Sequence, residues 1–151
     1  MPTWLQIIIG VAAPLIAGAG VFVAYQQWLV GQRSLKHDLF DRRWNVYAAT
    51  NDVIAAHLNG KAEDASERLQ EFLRRKMDAA FLLPASTNAF LGDVLTAVED
   101  YRSARRKLAA TPADNLERGN VGASVLQTEE ALKALHTRLV EVFRKPLDLS
   151  K

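Results

Sequence analysis

The first 32 residues contain no Asp, Glu, Lys, Arg or His and are rich in Ile, Val, Leu, Ala and Gly. An uncharged apolar helix of about 20 residues matches the hydrocarbon thickness of a bilayer. The part from Leu5 to Tyr25 would extend about 31 Å as a helix, at about 1.5 Å per residue. Trp4 at one end, with Tyr25 and Trp28 at the other, is typical of membrane interfaces. Residues 1–32 are therefore predicted to form one transmembrane anchor.

A cleaved signal peptide is the alternative interpretation of this segment. Ala17, Gly18 and Ala19 provide a small-residue cleavage pattern. No basic residue precedes the apolar run, however, and apolar residues continue through 21–24. Both features favour an uncleaved anchor, because a signal peptide begins with positive charge and ends its apolar region before the cleavage site.

The charges that flank the anchor predict its orientation. Only the α-amino group stands before the apolar run, whereas several basic residues follow it closely: Arg33, Lys36, Arg42 and Arg43. Basic residues near a span are retained on the cytoplasmic side. We therefore expect the N-terminus outside and residues 33–151 in the cytoplasm.

Small residues within the anchor form a pattern typical of membrane-helix association. Ala13 and Ala17 are spaced four apart, as are Pro14 and Gly18. This spacing lets two transmembrane backbones approach closely, so these four residues are predicted to mediate association. The alternative is that Gly and Ala are simply common in membrane helices.

Residues 33–151 are predicted to form one helical domain. All 19 basic and 17 acidic side chains lie there, and the length suffices for one core. Apolar residues recur near a 3.6-residue period in stretches that end at helix breakers. The predicted helices cover 34–58, 64–83, 86–111 and 123–145. The expected fold is all-α, with an N-terminal transmembrane helix followed by a bundle of about four amphipathic helices.

Further details of these helices can be predicted from local patterns. Asp64 and Glu67 have the spacing of a capping box, and residues 115–122, with two glycines, resemble a turn or frayed helix. In the second helix the predicted core face comprises Leu69, Phe72, Leu73, Met77, Ala80 and Phe81. In the fourth it comprises Leu126, Leu132, Leu135, Leu139, Val142 and Phe143.

The sequence predicts no catalytic residue, metal site or cofactor. There is no cysteine, and the three histidines, His37, His57 and His136, are isolated from one another in the sequence. None has the spacing of a metal-ligand pair, and no Gly-rich loop follows a strand. A net charge of +2 is also too small to indicate nucleic-acid binding. We therefore expect the protein not to be an enzyme.

Two basic triplets lie in the second and third predicted helices: Arg74, Arg75 and Lys76, and Arg105, Arg106 and Lys107. Each lies in the later part of its helix, where cations interact favourably with the helix dipole. The functional alternative is a patch for anionic lipid headgroups or RNA. Neither triplet is interleaved with aromatic residues, as a single-strand binding surface would be.

The most distinctive stretch begins with YQQW at 25–28 and continues with DLFDRR at 38–43 and the aromatic residues Trp44 and Tyr47. This stretch resembles a group of small bacterial single-pass membrane proteins. The resemblance implies a bacterial inner-membrane location and a juxtamembrane helix. The charged residues there could form i, i+4 pairs such as Asp38 with Arg42. The equal alternative is contact with a neighbouring subunit or lipid phosphate through Asp38, Asp41, Arg42, Arg43 and Trp44.

The layout is also similar to the membrane-anchored accessory proteins of type VI CRISPR systems, whose members can form pore-like oligomers. Their helical domains have been compared with a ribonuclease superfamily that carries Arg and His separated by four to six residues. Here only three residues separate Arg33 from His37, and neither His57 nor His136 has an Arg at that distance. The sequence thus departs from the ribonuclease pattern.

These observations together predict a non-enzymatic, membrane-anchored helical protein that self-assembles or scaffolds a partner, with a pore-like oligomer as one form. The expected partners are the lipid bilayer, further copies of the chain and a second protein. The alternatives are a membrane-tethered RNA-binding or ribonuclease-like defence effector, and a regulatory subunit of a larger membrane complex.

Overall fold

The computed structural model describes the backbone of residues 3–59 and 62–148. Side chains are described for residues 18, 20–28, 37–59 and 64–148. The described residues form α1 (Thr3–Asn59), α2 (Ala62–Leu82), α3 (Ala85–Ala110) and α4 (Arg118–Arg144), with no strand among them. The prediction of an all-α fold is confirmed.

Helix breakers end the helices where the sequence predicted. α1 ends at Asn59, Pro84 follows α2 after one intervening residue, and Pro146 lies just beyond α4. Proline has no N–H to continue the helix and its ring crowds the preceding turn. The stops are therefore local properties of the chain.

The starts of two helices differ from prediction. α2 begins at Ala62, so Asp64 lies in its first turn rather than before it. α4 begins at Arg118, several residues before the predicted start. There Asn115 Oδ1 accepts the Glu117 N–H at 2.8 Å, which closes a turn and starts the helix early. The glycines at 119 and 122 are accommodated, because each costs only about 1 kcal/mol within a helix.

The chain divides into two compact units, Met1–Leu39 and Phe40–Lys151. In the first unit, every described side chain from 20 to 28 is exposed. Within the residues that the structure describes, no helix has both the length and the apolar character needed to cross a membrane. Most of the predicted anchor, residues 1–17, lies outside the described side chains, as does the predicted domain boundary at 32–33.

The second unit has one apolar core to which all four helices contribute. α3 packs against both α2 and α4, and the C-terminal half of α1 adds Val46, Val53 and Ile54, none more than 1% exposed. The largest fully buried side chains of the other helices are Phe72, Leu91, Val94, Val98, Leu132, Leu139 and Phe143. The bundle predicted for this part of the chain is therefore confirmed.

Two of the predicted core faces are partly wrong. In α4, Val125 is buried and Leu126 is 63% exposed. In α2, Met77 and Phe81 are 76% and 93% exposed. The buried side continues instead through Ala79 to Leu83, the residue that follows the helix, and Ala80 is also exposed. Adjacent positions on a helix are about 100° apart, so two neighbouring stripes fit the same apolar period.

Candidate functional site

A cavity of about 240 Å³ lies where the C-terminal part of α1, the start of α2 and the later part of α3 meet. Its wall includes two alanines and six polar or aromatic residues: His57, Ser66, Tyr101, Arg102, Arg105 and Arg106. No carboxylate is among the described residues that line it. We refer to this space as the basic cavity.

His57 is a buried titratable residue of the basic cavity, with 8% of its surface exposed. Its Nδ1 lies 2.7 Å from the carbonyl oxygen of Val53. Because a carbonyl oxygen only accepts hydrogen bonds, Nδ1 must carry a hydrogen, and in the neutral ring Nε2 is then an acceptor. That Nε2 is buried and has no hydrogen-bond partner among the described atoms. An unpartnered buried polar atom costs about 1–3 kcal/mol.

The surroundings of His57 favour its neutral form. Burial lowers the pKa of His57 below its ordinary value, and the nearby Arg102 guanidinium lowers it as well. The hydrogen bond to the Val53 carbonyl opposes this shift, but burial is the largest effect. The neutral form of His57 is therefore favoured over the charged form.

Three arginines occupy one face of α3 at the basic cavity. Arg102, Arg105 and Arg106 have the i, i+3, i+4 spacing that places side chains together on a helix. Within the described ranges, none of them forms an ion pair with a carboxylate. The Arg105 guanidinium carbon lies 5.9 Å from the ring centroid of Tyr101, a cation–π distance.

The chemistry available in the basic cavity is that of an anion site. Guanidinium groups donate hydrogen bonds in a fork that matches phosphate and carboxylate oxygens. Ala65 and Ser66 belong to the first turns of α2, which begins at Ala62. The N-terminal end of a helix carries partial positive charge and adds to this potential. No group of three metal-ligating side chains was found in the part of the chain that the structure describes.

The structure places the two basic triplets at different sites. Arg105 and Arg106 line the basic cavity, whereas the exposed Lys107 does not. In the other triplet, Arg74 Nη1 and Arg75 Nε contact the Glu71 carboxylate at 3.1 and 2.7 Å. A second cavity, of about 300 Å³, is lined by Arg42, Arg75, Asp78, Phe81 and Leu82. Lys76 is half-buried and lines neither of these two cavities.

Among the juxtamembrane residues, Arg43 has well-defined partners within the second unit. Its Nε donates to the Leu82 carbonyl at 3.2 Å, and its Nη1 donates to the Pro146 carbonyl at 3.1 Å. These carbonyls lie at the C-terminal ends of α2 and α4, where no further helical N–H follows. Arg43 therefore joins α1 to the ends of two other helices, while Asp38, Asp41 and Arg42 are exposed.

Trp44 belongs to a row of aromatic rings along α1. Its ring centroid lies 6.3 Å from that of Phe40 and 5.1 Å from that of Tyr47. Tyr47 in turn contacts Phe143 of α4 edge-on at 5.5 Å. Although this row reaches the core, Trp44 itself remains 47% exposed. Trp44 is therefore exposed on one side and lies against neighbouring rings on the other.

An exposed apolar row follows α2, formed by Leu73, Met77 and Phe81 at a spacing of four. We call it the α2 stripe.

In the first unit, a Cβ placed on Gly18 would meet no atom within 4 Å. The other predicted association residues, Ala13, Pro14 and Ala17, lie outside the described side chains.

Sequence reasoning did not identify the basic cavity. In the sequence His57 is isolated from the other histidines, and Arg105 and Arg106 form a basic triplet with Lys107. The spacing of Arg102, Arg105 and Arg106 on one helical face was readable from the sequence and could have shown that three cations lie together. Nothing in the local pattern indicated that His57, on another helix, would face them.

The fold and the cavity define an all-α protein whose second unit is a helical bundle with a basic cavity at the meeting point of three helices. No known protein family, curated protein or solved structure matches the chain. The resemblances described above therefore remain predictions.

Proposed function

We propose that this chain is a non-enzymatic, membrane-anchored helical protein that self-assembles at the bacterial inner membrane and scaffolds a partner there. The observation that supports this proposal is the exposure of apolar side chains in the first unit. Five of them are 52–71% exposed: Val21, Phe22, Val23, Tyr25 and Trp28. Contiguous exposed apolar surface indicates contact with lipid or another protein.

The proposed topology is a single pass, with residues 1–32 in the membrane, the N-terminus outside and residues 33–151 in the cytoplasm. It rests on the uncharged N-terminal run and on the basic residues that follow it. The charges of Asp38, Asp41 and Arg42 would then lie close to the headgroups or to a neighbouring copy.

The second unit supplies apolar surface of its own for assembly. The α2 stripe has exposed side chains on successive turns, with Phe81 at 93%. Aromatic and Met side chains are enriched at protein interfaces. We propose that a second copy of the chain covers this stripe, and that a ring of such copies is the pore-like form of the assembly.

The association face is tested by Gly18→Leu in the full-length protein, with Gly20→Leu as the matched control. The two glycines are about 200° apart around the helix, and only Gly18 lies four residues after Pro14. Beyond the adjacent residues and the local helix backbone, neither would place a Cβ within 4 Å of another atom. We expect Gly18→Leu to reduce the mass of the particle in mild detergent, because the larger side chain separates neighbouring helices.

Native mass spectrometry or particle imaging provides the measurement. Gly20→Leu should leave the mass unchanged, since it adds the same apolar volume on another face. An unchanged mass for Gly18→Leu, or equal losses for both variants, would reject association through the small residues. A monomeric wild-type protein would reject self-assembly and favour the regulatory-subunit alternative.

The second candidate function is a membrane-tethered RNA-binding or ribonuclease-like effector. It is favoured by the position of Arg105 and Arg106 beside the buried His57. His136 is less suited to catalysis, because its Nε2 lies 3.0 Å from Asn51 Oδ1, and His37 is exposed. RNA cleavage by the full-length protein that is abolished by His57→Gln would overturn the non-enzymatic proposal.

A further inference from the structure

We propose that the basic cavity is a binding site for a terminal phosphate group, held by Arg102, Arg105 and Arg106 of α3 and completed by His57 of α1. This inference does not depend on the membrane proposal, because all of these residues lie in the second unit. It specifies a small anion rather than an extended surface for nucleic acid.

The size of the cavity favours a small ligand. Its volume of about 240 Å³ is below the range of roughly 300–1,000 Å³ that is typical of pockets for whole drug-sized molecules or cofactors. One phosphate group, free or at the end of a larger molecule, fits within this space. A long nucleic-acid strand would instead require a groove with stacking aromatic rings.

The charges around the cavity are unbalanced in the direction that an anion would correct. Helix α3 contributes three cationic side chains, Arg102, Arg105 and Arg106, together with the buried and uncharged ring of Tyr101. Helix α2 contributes Ser66. No acidic residue is among the described lining residues of any of the three helices. A dianionic phosphomonoester offers enough oxygens for bidentate bonds to more than one guanidinium group.

His57 supplies the second, independent observation. Its Nε2 is buried without a described partner, while Nδ1 is fixed by the Val53 carbonyl. A bound phosphate would favour a proton on Nε2, which would then donate a hydrogen bond to a phosphate oxygen. Without a neighbouring anion the same proton is unfavourable, because burial and Arg102 lower the pKa of His57.

The test is titration of the full-length protein in detergent with inorganic phosphate, against chloride at equal ionic strength. The chain has only three histidines, so ¹⁵N-histidine NMR can follow each imidazole separately. We expect phosphate to raise the pKa of His57 and to change the imidazole resonances of His57 alone among the three histidines. Arg105→Gln and Arg106→Gln should each weaken phosphate binding by about tenfold or more, because each removes a charged hydrogen bond.

Lys107→Gln is the matched control, since it removes the same charge from the next position without altering the cavity wall. Equal weakening by Lys107→Gln and Arg106→Gln would overturn the site in favour of general electrostatic attraction. A His57 resonance that does not respond to phosphate would also overturn it. The two arginine variants still test phosphate binding at this site if a substitution of His57 prevents folding.

Competition with short-chain phosphatidic acid identifies the source of the phosphate group. Displacement of inorganic phosphate by this lipid, but not by phosphatidylglycerol, would support the site and assign it to a phosphomonoester headgroup. Binding of inorganic phosphate alone would support the site and assign it to a free anion. Failure of both ligands to bind would overturn the proposal, while leaving the result of the Gly18→Leu mass experiment unaffected.

Discussion

Arg43 shows how one side chain can determine the arrangement of several helices. It lies on α1, and its guanidinium donates to carbonyl groups of Leu82 and Pro146 at the ends of two other helices. Carbonyls at helix C-termini lack intrahelical partners, and a cation there also interacts favourably with the helix dipole. The sequence suggested a lipid or subunit contact for this residue, yet its described bonds are within the chain.

Replacement of Arg43 by Met should lower the free energy of unfolding by about 1–3 kcal/mol, because two carbonyls lose a charged donor while most of the packing volume is kept. Urea denaturation of the full-length protein in detergent gives this value. Arg74→Met is the control, since Arg74 has an exposed ion pair with Glu71, and we expect its effect to stay within about 0.5 kcal/mol. Equal effects would show that the Arg43 bonds contribute nothing specific.

At the scale of the element, α4 illustrates the limits of a hydrophobic period. Leu126 and Val125 are adjacent, both are apolar, and both are compatible with a stripe that continues through Leu132 and Leu139. Packing against α3 buries the smaller residue and exposes the larger one. The α2 stripe arises in the same way, because Ala79 and Leu83 rather than Met77 and Phe81 face the core.

The register of α4 can be tested with two alanine substitutions. Val125→Ala should cost about 1–3 kcal/mol of unfolding free energy, since it removes two buried methyl groups and leaves a small cavity. Leu126→Ala should change it by less than about 0.5 kcal/mol, because that side chain is mostly exposed. Denaturant unfolding of both variants measures the difference, and a larger loss for Leu126→Ala would contradict the burial described here.

At the scale of the whole molecule, the two units differ in how they are stabilised. Among the residues with described side chains, the clustered core lies entirely in the unit from Phe40 onward. The described side chains of the first unit between 20 and 28 are all exposed. Stability of the second unit should therefore be independent of the residues before it.

A protein of residues 40–151 should fold alone in water, with a cooperative transition and a free energy of unfolding on the order of 5 kcal/mol or more. Urea titration followed by circular dichroism and by tryptophan fluorescence checks this, since Trp44 is retained and lies against Tyr47. Helical signal without a cooperative transition, or transitions that differ between the two probes, would show that the core needs the first unit.

Much of the fold could be predicted from the sequence because the relevant signals are local. The stops at Asn59, Pro84 and Pro146 come from backbone chemistry within one or two residues. The all-α class follows from a period that only a helix satisfies. The separation of an uncharged N-terminal run from a charged remainder is likewise visible without any tertiary structure.

Tertiary structure alone decided which of two adjacent stripes is buried, and which side chains from different helices meet. His57 and Arg102 are far apart in the sequence, and they share a cavity only because α1, α2 and α3 pack at one end of the bundle. The same packing leaves Phe81 exposed and gives Arg43 its partners at two helix ends. Periodicity describes one helix at a time, whereas a site between helices depends on their mutual rotation, which no single helix encodes.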